Sequence, residues 1–172
     1  MDNKRPAQAL FWALAAAAVC IDQLTKWAIY ERSVTSRAFV VVPGVFFRLA
    51  PTGNPGVVWG LFGGWPGAVF AVGVLAAMGV TYFFYRYCEK SLKEAAALGI
   101  ILGGAVGNLI DRAFVGHVRD FLEFKIYSHY WPTFNFADSF ITVGAGILIV
   151  VFLSSSKGEG GRAQVSGGKS EK

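Results

Sequence analysis

The sequence predicts a mainly α-helical membrane protein: a four-transmembrane-helix bundle with a small extracytoplasmic β-hairpin, or cradle, and one short interfacial helix. Three observations lead there. Of 172 residues, 54% are hydrophobic and only 16% charged, against about 25% charged in ordinary soluble domains. Mean hydropathy is +0.47. Lys, Arg, Asp and Glu are absent from four stretches, Pro6–Ile21, Leu49–Tyr85, Ala95–Ile110 and Ser139–Ser156. A bilayer core takes about 20 apolar residues per helix, so four spans leave no room for a separate soluble domain. Residues 1–153 are therefore expected to form one membrane domain, and 154–172, rich in Ser, Gly and Lys, a disordered cytoplasmic tail.

The first span covers about 7–29. Lys4 and Arg5 before Leu10–Val19 resemble the start of a signal peptide, but three spans follow, so an uncleaved first helix is expected. A connecting segment, about 32–62, contains the β-prone runs Phe39–Val42 and Val45–Leu49 on either side of Pro43-Gly44. That pattern suggests a hairpin outside the hydrocarbon. Asn54-Pro55 then looks like a helix cap followed by Pro at the first helical position. A short helix over Gly56–Phe62 would lie along the interface, with Trp59 and Trp65 at headgroup depth.

The second span covers about 65–85 and ends in the aromatic run Tyr82–Tyr87. A polar turn from Arg86 to Glu94 leads to the third span, about 95–114. There Gly99, Gly103 and Gly107 stand four apart on one face and admit a close neighbour. After a connection over Val115–Pro132, the fourth span covers about 133–153. With the N-terminus inside, nine Lys and Arg fall inside and seven outside, which favours both termini in the cytoplasm.

Charge and cysteine content exclude several functions. The net charge of +5 sits mostly at span ends and forms no basic stripe, so no nucleic-acid partner is expected. Cys20 and Cys88 lie toward opposite ends and read as packing residues. His117 and His129 lack an HExxH pattern or a third ligand, so no metal is expected. Ser154-x-x-Lys157 has a Ser–Lys spacing, but topology puts it opposite the acids.

Those acids are the informative feature. Asp22 with Lys26, Asp111 with Arg112, and Asp138 lie at span ends that an up-down bundle brings to one membrane face, and Asp120 lies in a connection at that face. A carboxylate inside a membrane is costly, so such residues face a protected or wet interior. Asp22 and Lys26, four apart, can be a mutual ion pair. Asp111 and Arg112 point in different directions, and each can pair across helices. Asp120 and Asp138 have no cation at i,i+4 spacing. Two neighbouring carboxylates titrate as a pair and can share one proton, which supplies an acid and a base for hydrolysis. The rival reading is a small proton-coupled membrane transporter, which would string its acids along a path and carry an inverted repeat.

The stretches Asp22-Gln23-Leu24-Thr25-Lys26, Asn54-Pro55-Gly56, Gly103–Arg112, Val118-Arg119-Asp120-Phe121 and Phe134–Ser139 together resemble one family, the bacterial lipoprotein signal peptidases (signal peptidase II). The family's small residues and Phe after the Asn54 motif are here Val57-Val58-Trp59, which alters the lid. The resemblance implies an intramembrane aspartic endopeptidase of the bacterial inner membrane with its site near the periplasmic face. Asp120 and Asp138 match the catalytic dyad. Asp22, Asn54, Asn108, Asp111, Arg112 and Asn135 match the polar residues around it, with Lys26 and Gly56 in the same motifs. The substrates implied are diacylglyceryl-prolipoproteins, cut just before the lipidated cysteine. No cofactor is expected, and the chain is expected to be a monomer in membrane lipid.

Overall fold

The computed structural model describes residues 4–33, 45–56, 64–89, 91–126 and 129–166. Within them lie four long helices, α1 (Lys4–Ser33), α2 (Pro66–Phe83), α3 (Leu92–Phe114) and α4 (Phe136–Ser166), and three strands, β1 (Val45–Asn54), β2 (Val118–Ile126) and β3 (His129–Tyr130). All four helices are long and apolar enough to cross a bilayer. The expected spans are present, with ends shifted by a few residues. Pro66 opens α2, where its missing N–H costs nothing. A single π turn, Phe84–Cys88, extends that span. Ser91 caps α3 by accepting from the Glu94 N–H.

Helix α4 runs past the expected end of the fourth span at 153, as far as Ser166. The apolar part of α4 supplies the nucleus, and each added residue then costs only propagation.

Helix α3 is the centre of the bundle. It packs on α1, α2 and α4 and buries over half of its apolar span, whereas α2 and α4 leave nearly all of theirs uncovered. The glycine stripe explains the close approach. A Cβ on Gly103 would stand 2.5 Å from the Ala15 carbonyl oxygen and from the Ala18 Cβ of α1. Toward the other end of the bundle, Phe11 stacks on Phe84 with centroids 4.1 Å apart, over Ala95, Leu98 and Leu102. Cys88 is buried there as a free thiol, and Cys20 is free and exposed.

Only one of the two strands expected in the hairpin can be followed. Residues 39–42 lie outside the described residues, and Val45–Asn54 forms one long strand paired antiparallel with β2, from Val45 opposite Ile126 to Asn54 opposite Val118. Strand β2 in turn pairs with β3. The register slips between Leu49 and Thr52, so β1 carries a bulge beside Asp120. Gly116, in the left-handed region at φ 83°, turns the chain from α3 into β2. The expected interfacial helix and Trp59 lie outside the described residues, apart from Gly56. Trp65 is exposed at the start of α2.

Candidate active site

Each polar residue of the site is brought in by the end of an element. Asn135 and Asp138 build the start of α4 reciprocally: Asn135 Oδ1 accepts from the Asp138 N–H (3.0 Å) and an Asp138 Oδ2 accepts from the Asn135 N–H (3.1 Å). This is a capping box with a shorter acid. Strand β2 delivers Asp120, and β1 ends at Asn54, directly beyond the bulge. The last turns of α3 supply Asn108, Asp111 and Arg112, and the second half of α1 supplies Asp22 and Lys26.

Asp120 and Asp138 line one cavity of about 770 Å³, together with Asn54, Asn108 and Arg112. Asn135 Nδ2 donates to Asp120 Oδ1 (2.7 Å), and Asn54 Nδ2 donates to Asp120 Oδ2 (3.1 Å). Asn108 Nδ2 donates to Asp138 Oδ1 (2.8 Å). Asn135 and Asn108 are themselves joined, Nδ2 to Oδ1, at 3.1 Å. Two amides thus bridge the two carboxyl groups. Asp120 is 1% exposed. Burial and then the charge of Asp138 push its carboxyl up to about 6, against the opposing hydrogen bonds from Asn54 and Asn135 and the charge of Lys26. An acid in this state exchanges its proton near neutrality, as general acid–base chemistry requires.

Behind the cavity sits a fully buried ionic hub. Lys26 Nζ donates to Asp22 Oδ2 (2.8 Å) and Asn108 Oδ1 (3.1 Å) and pairs with Asp111 Oδ2 (3.0 Å), using its three protons on three acceptors. Asp22 Oδ1 also accepts from the Ala137 N–H of α4 (3.0 Å). The expected Asp22–Lys26 pair is therefore present, as part of a larger cluster. Asp111 accepts from Arg119 through the backbone N–H (2.9 Å) and through Nη2 (2.7 Å). Lys26 also fixes amide polarity: a group that only donates must face Asn108 Oδ1, which turns Asn108 Nδ2 toward Asp138.

Arg112 points the other way. Its Nη2 donates to the Gly56 carbonyl (2.8 Å), and the Gly56 N–H donates to Asn54 Oδ1 (3.1 Å), the side-chain bond that a helix cap or an Asn turn makes; the residues that would continue such a helix lie outside the described residues. Arg112 Nε is buried with no hydrogen-bond partner among the described residues.

All ten sequence-chosen residues thus fall in one connected network. Three contributors were not singled out from the sequence. Gln23 Nε2 donates to Asp22, Asp111 and the Gly107 carbonyl. Arg119 Nη2 donates to Gln23 as well as Asp111, and Tyr30 reaches the Asp120 carbonyl. Gln23 and Arg119 each sit next to a chosen acid, which was the available signal. Among the described residues, no group of three His, Cys, Asp or Glu side chains is arranged to hold a metal ion.

A bundle of four bilayer-length apolar helices with polar residues gathered on one cavity defines a multi-pass membrane protein. Its acids converge at one end of the bundle, which does not fit the transporter reading. The family described as Signal peptidase (SPase) II matches residues 14–154. A lipoprotein signal peptidase of Bacillus pumilus is 33% identical over 147 residues, 86% of this chain and 94% of that one. Another, of Symbiobacterium thermophilum, is 39% identical over 137 residues, 80% of this chain and 90% of that one. A bacterial membrane enzyme solved by the in meso method at 2.3 Å superposes with a TM-score of 0.74 at 29% identity, over 93% of this chain and 92% of that one. The chain belongs to the signal peptidase II family.

Proposed function

We propose that this protein is an aspartic endopeptidase that cleaves diacylglyceryl-prolipoproteins just before the lipidated cysteine, with Asp120 and Asp138 as its catalytic residues. The observation carrying this reading is that the two carboxyl groups open on one cavity and are bridged by Asn108 and Asn135. One carboxylate, ionised, takes a proton from water as the water oxygen attacks the scissile carbonyl carbon. The other, protonated, polarises that carbonyl and then protonates the nitrogen as the C–N bond breaks.

Asn54 and Arg112 line the same cavity and meet backbone groups of an unwound substrate, which would be costly to leave unpaired. The Arg112 guanidinium, at the cavity wall, suits a substrate carbonyl. The apolar lining from Trp131, Phe134, Ile141 and Val143 suits acyl chains. Asp22, Lys26, Asp111 and Asn135 hold these groups in place, and Gly56 anchors Arg112.

In this reading the protein resides in the bacterial inner membrane as a monomer, with both termini cytoplasmic and the site near the periplasmic face. The nine-to-seven split of Lys and Arg supports that orientation. The test is purified protein in detergent or bilayer with a diacylglyceryl-prolipoprotein, beside Asp120→Asn and Asp138→Asn. Both variants are expected to fold and neither to cut. Substantial cleavage by either removes that residue from the dyad.

A further inference from the structure

The bulge in β1 lies directly against Asp120. Leu49 stands opposite Leu122 and Thr52 opposite Asp120, so Ala50 and Pro51 share the space of Phe121 alone, and none of the three has a register partner. Pro51 has no N–H to give to the ladder. Bulges near active sites re-aim a side chain at the expense of local pairing, and this one is closed from outside the sheet. Tyr30, near the end of α1, donates its hydroxyl to the Thr52 carbonyl (2.9 Å) and shares it with the Asp120 carbonyl (3.2 Å). Thr52 Oγ1 takes care of the Ala50 carbonyl (3.1 Å). The Arg119 guanidinium lies over the Tyr30 ring at 6.0 Å and so holds the ring in place.

One hydroxyl therefore joins the two strands at the point where their ladder is interrupted. Asn54 follows Thr52 by two residues and donates to Asp120 Oδ2. The Tyr30 link thus stands beside the register pairs Thr52–Asp120, Gly53–Arg119 and Asn54–Val118 in holding Asn54 and Asp120 together.

We propose that Tyr30 is a positioning residue for Asp120: its hydroxyl closes the β1–β2 bulge and fixes the backbone from which the Asp120 carboxyl and the Asn54 amide project. The inference rests on Asp120 belonging to the catalytic dyad. Tyr30 is not among the residues lining the cavity; it reaches Asp120 through the backbone carbonyl.

The test is Tyr30→Phe, which removes the hydroxyl and keeps the ring beneath Arg119. Turnover is measured per folded molecule on a diacylglyceryl-prolipoprotein across pH, beside the wild type and Asp120→Asn. A lost hydrogen bond of ordinary strength predicts a fall of about five- to tenfold in kcat with KM unchanged. The pH profile should shift too. Asp120 is faced by Asp138 from α4, by Lys26 and Tyr30 from α1, by Arg112 from α3 and by Arg119 beside it on β2. Loosening the Asn54 and Asn135 bonds, which favour its charged form, lets it hold its proton more tightly and moves the alkaline limb to higher pH. An unchanged kcat and profile per folded molecule overturns the proposal, as does a loss confined to thermal stability. Cleavage by Asp120→Asn would instead overturn the dyad, whatever Tyr30→Phe does.

Discussion

Replacing Asp120 by Asn is expected to stabilise the fold at alkaline pH while abolishing cleavage. Burial and the charge of Asp138 raise this carboxyl from 3.8 to about 6, and each pH unit is worth about 1.4 kcal/mol. Ionised Asp120 thus weakens the fold by about 3 kcal/mol. The folded value lies above the unfolded one, so stability is intact below about pH 4, falls as pH rises toward 6, and stays low above it. Asn carries no charge and escapes that loss. Its amide presents a donor to one of the two amides that hold the carboxyl, but the protonated acid has the same mismatch, so the two largely cancel. The variant should match the wild type at pH 4 and exceed it by about 2–3 kcal/mol at pH 8, roughly 5–10 °C in melting temperature. Tryptophan fluorescence during thermal unfolding in detergent, at both pH values, measures the difference. A gap equal at pH 4 and pH 8, or a less stable variant at pH 8, would refute the electrostatic argument.

Other consequences follow from the same geometry. The kcat/KM profile should show an alkaline limb near pH 6, where the dyad loses its shared proton; in kcat the limb should lie higher, because bound substrate excludes water and disfavours the second charge. A flat profile between pH 5 and 7 would contradict this. Lys26→Met leaves Asp22 buried without its cation and Asp111 with Arg119 alone, and should cost about 3–5 kcal/mol in unfolding experiments, whereas a cost below about 1 kcal/mol would mean that water replaces it. Gly103→Ala places a methyl group 2.5 Å from the Ala15 carbonyl oxygen and should cost about 1–3 kcal/mol, read as a lower melting temperature; an unchanged melting temperature would show that α1 and α3 separate freely.

The four spans were legible because hydrophobicity acts residue by residue along a helix, and no distant partner is needed to recognise a stretch that prefers lipid. The acids were legible for the complementary reason, since Asp22, Asp111 and Asp138 stand out against apolar surroundings. The β1–β2 pairing was not, because its strands are separated by two helices and a strand reveals only its own alternation. Val45–Leu49 was given the nearest partner in sequence, across Pro43-Gly44, which lies outside the described residues; the pairing with β2 was not foreseen. Gln23 and Arg119 were passed over because a polar residue beside a conspicuous acid looks like a solvated neighbour until its burial is known. Tyr30 carries no signal in the sequence beyond being an aromatic just past the end of a span.

By itself, the sequence determined that this chain lives in a bilayer, crosses it four times and gathers its acids toward one end. Those outcomes follow from transfer energies that each segment carries alone. Only the tertiary structure decided which amide faces which carboxyl, that Lys26 balances Asp22 and Asp111 together, and that a tyrosine on α1 closes a bulge in the sheet. Hydrogen bonds depend on distances of a few tenths of an ångström between segments far apart in the chain, and such distances exist only after the helices have packed.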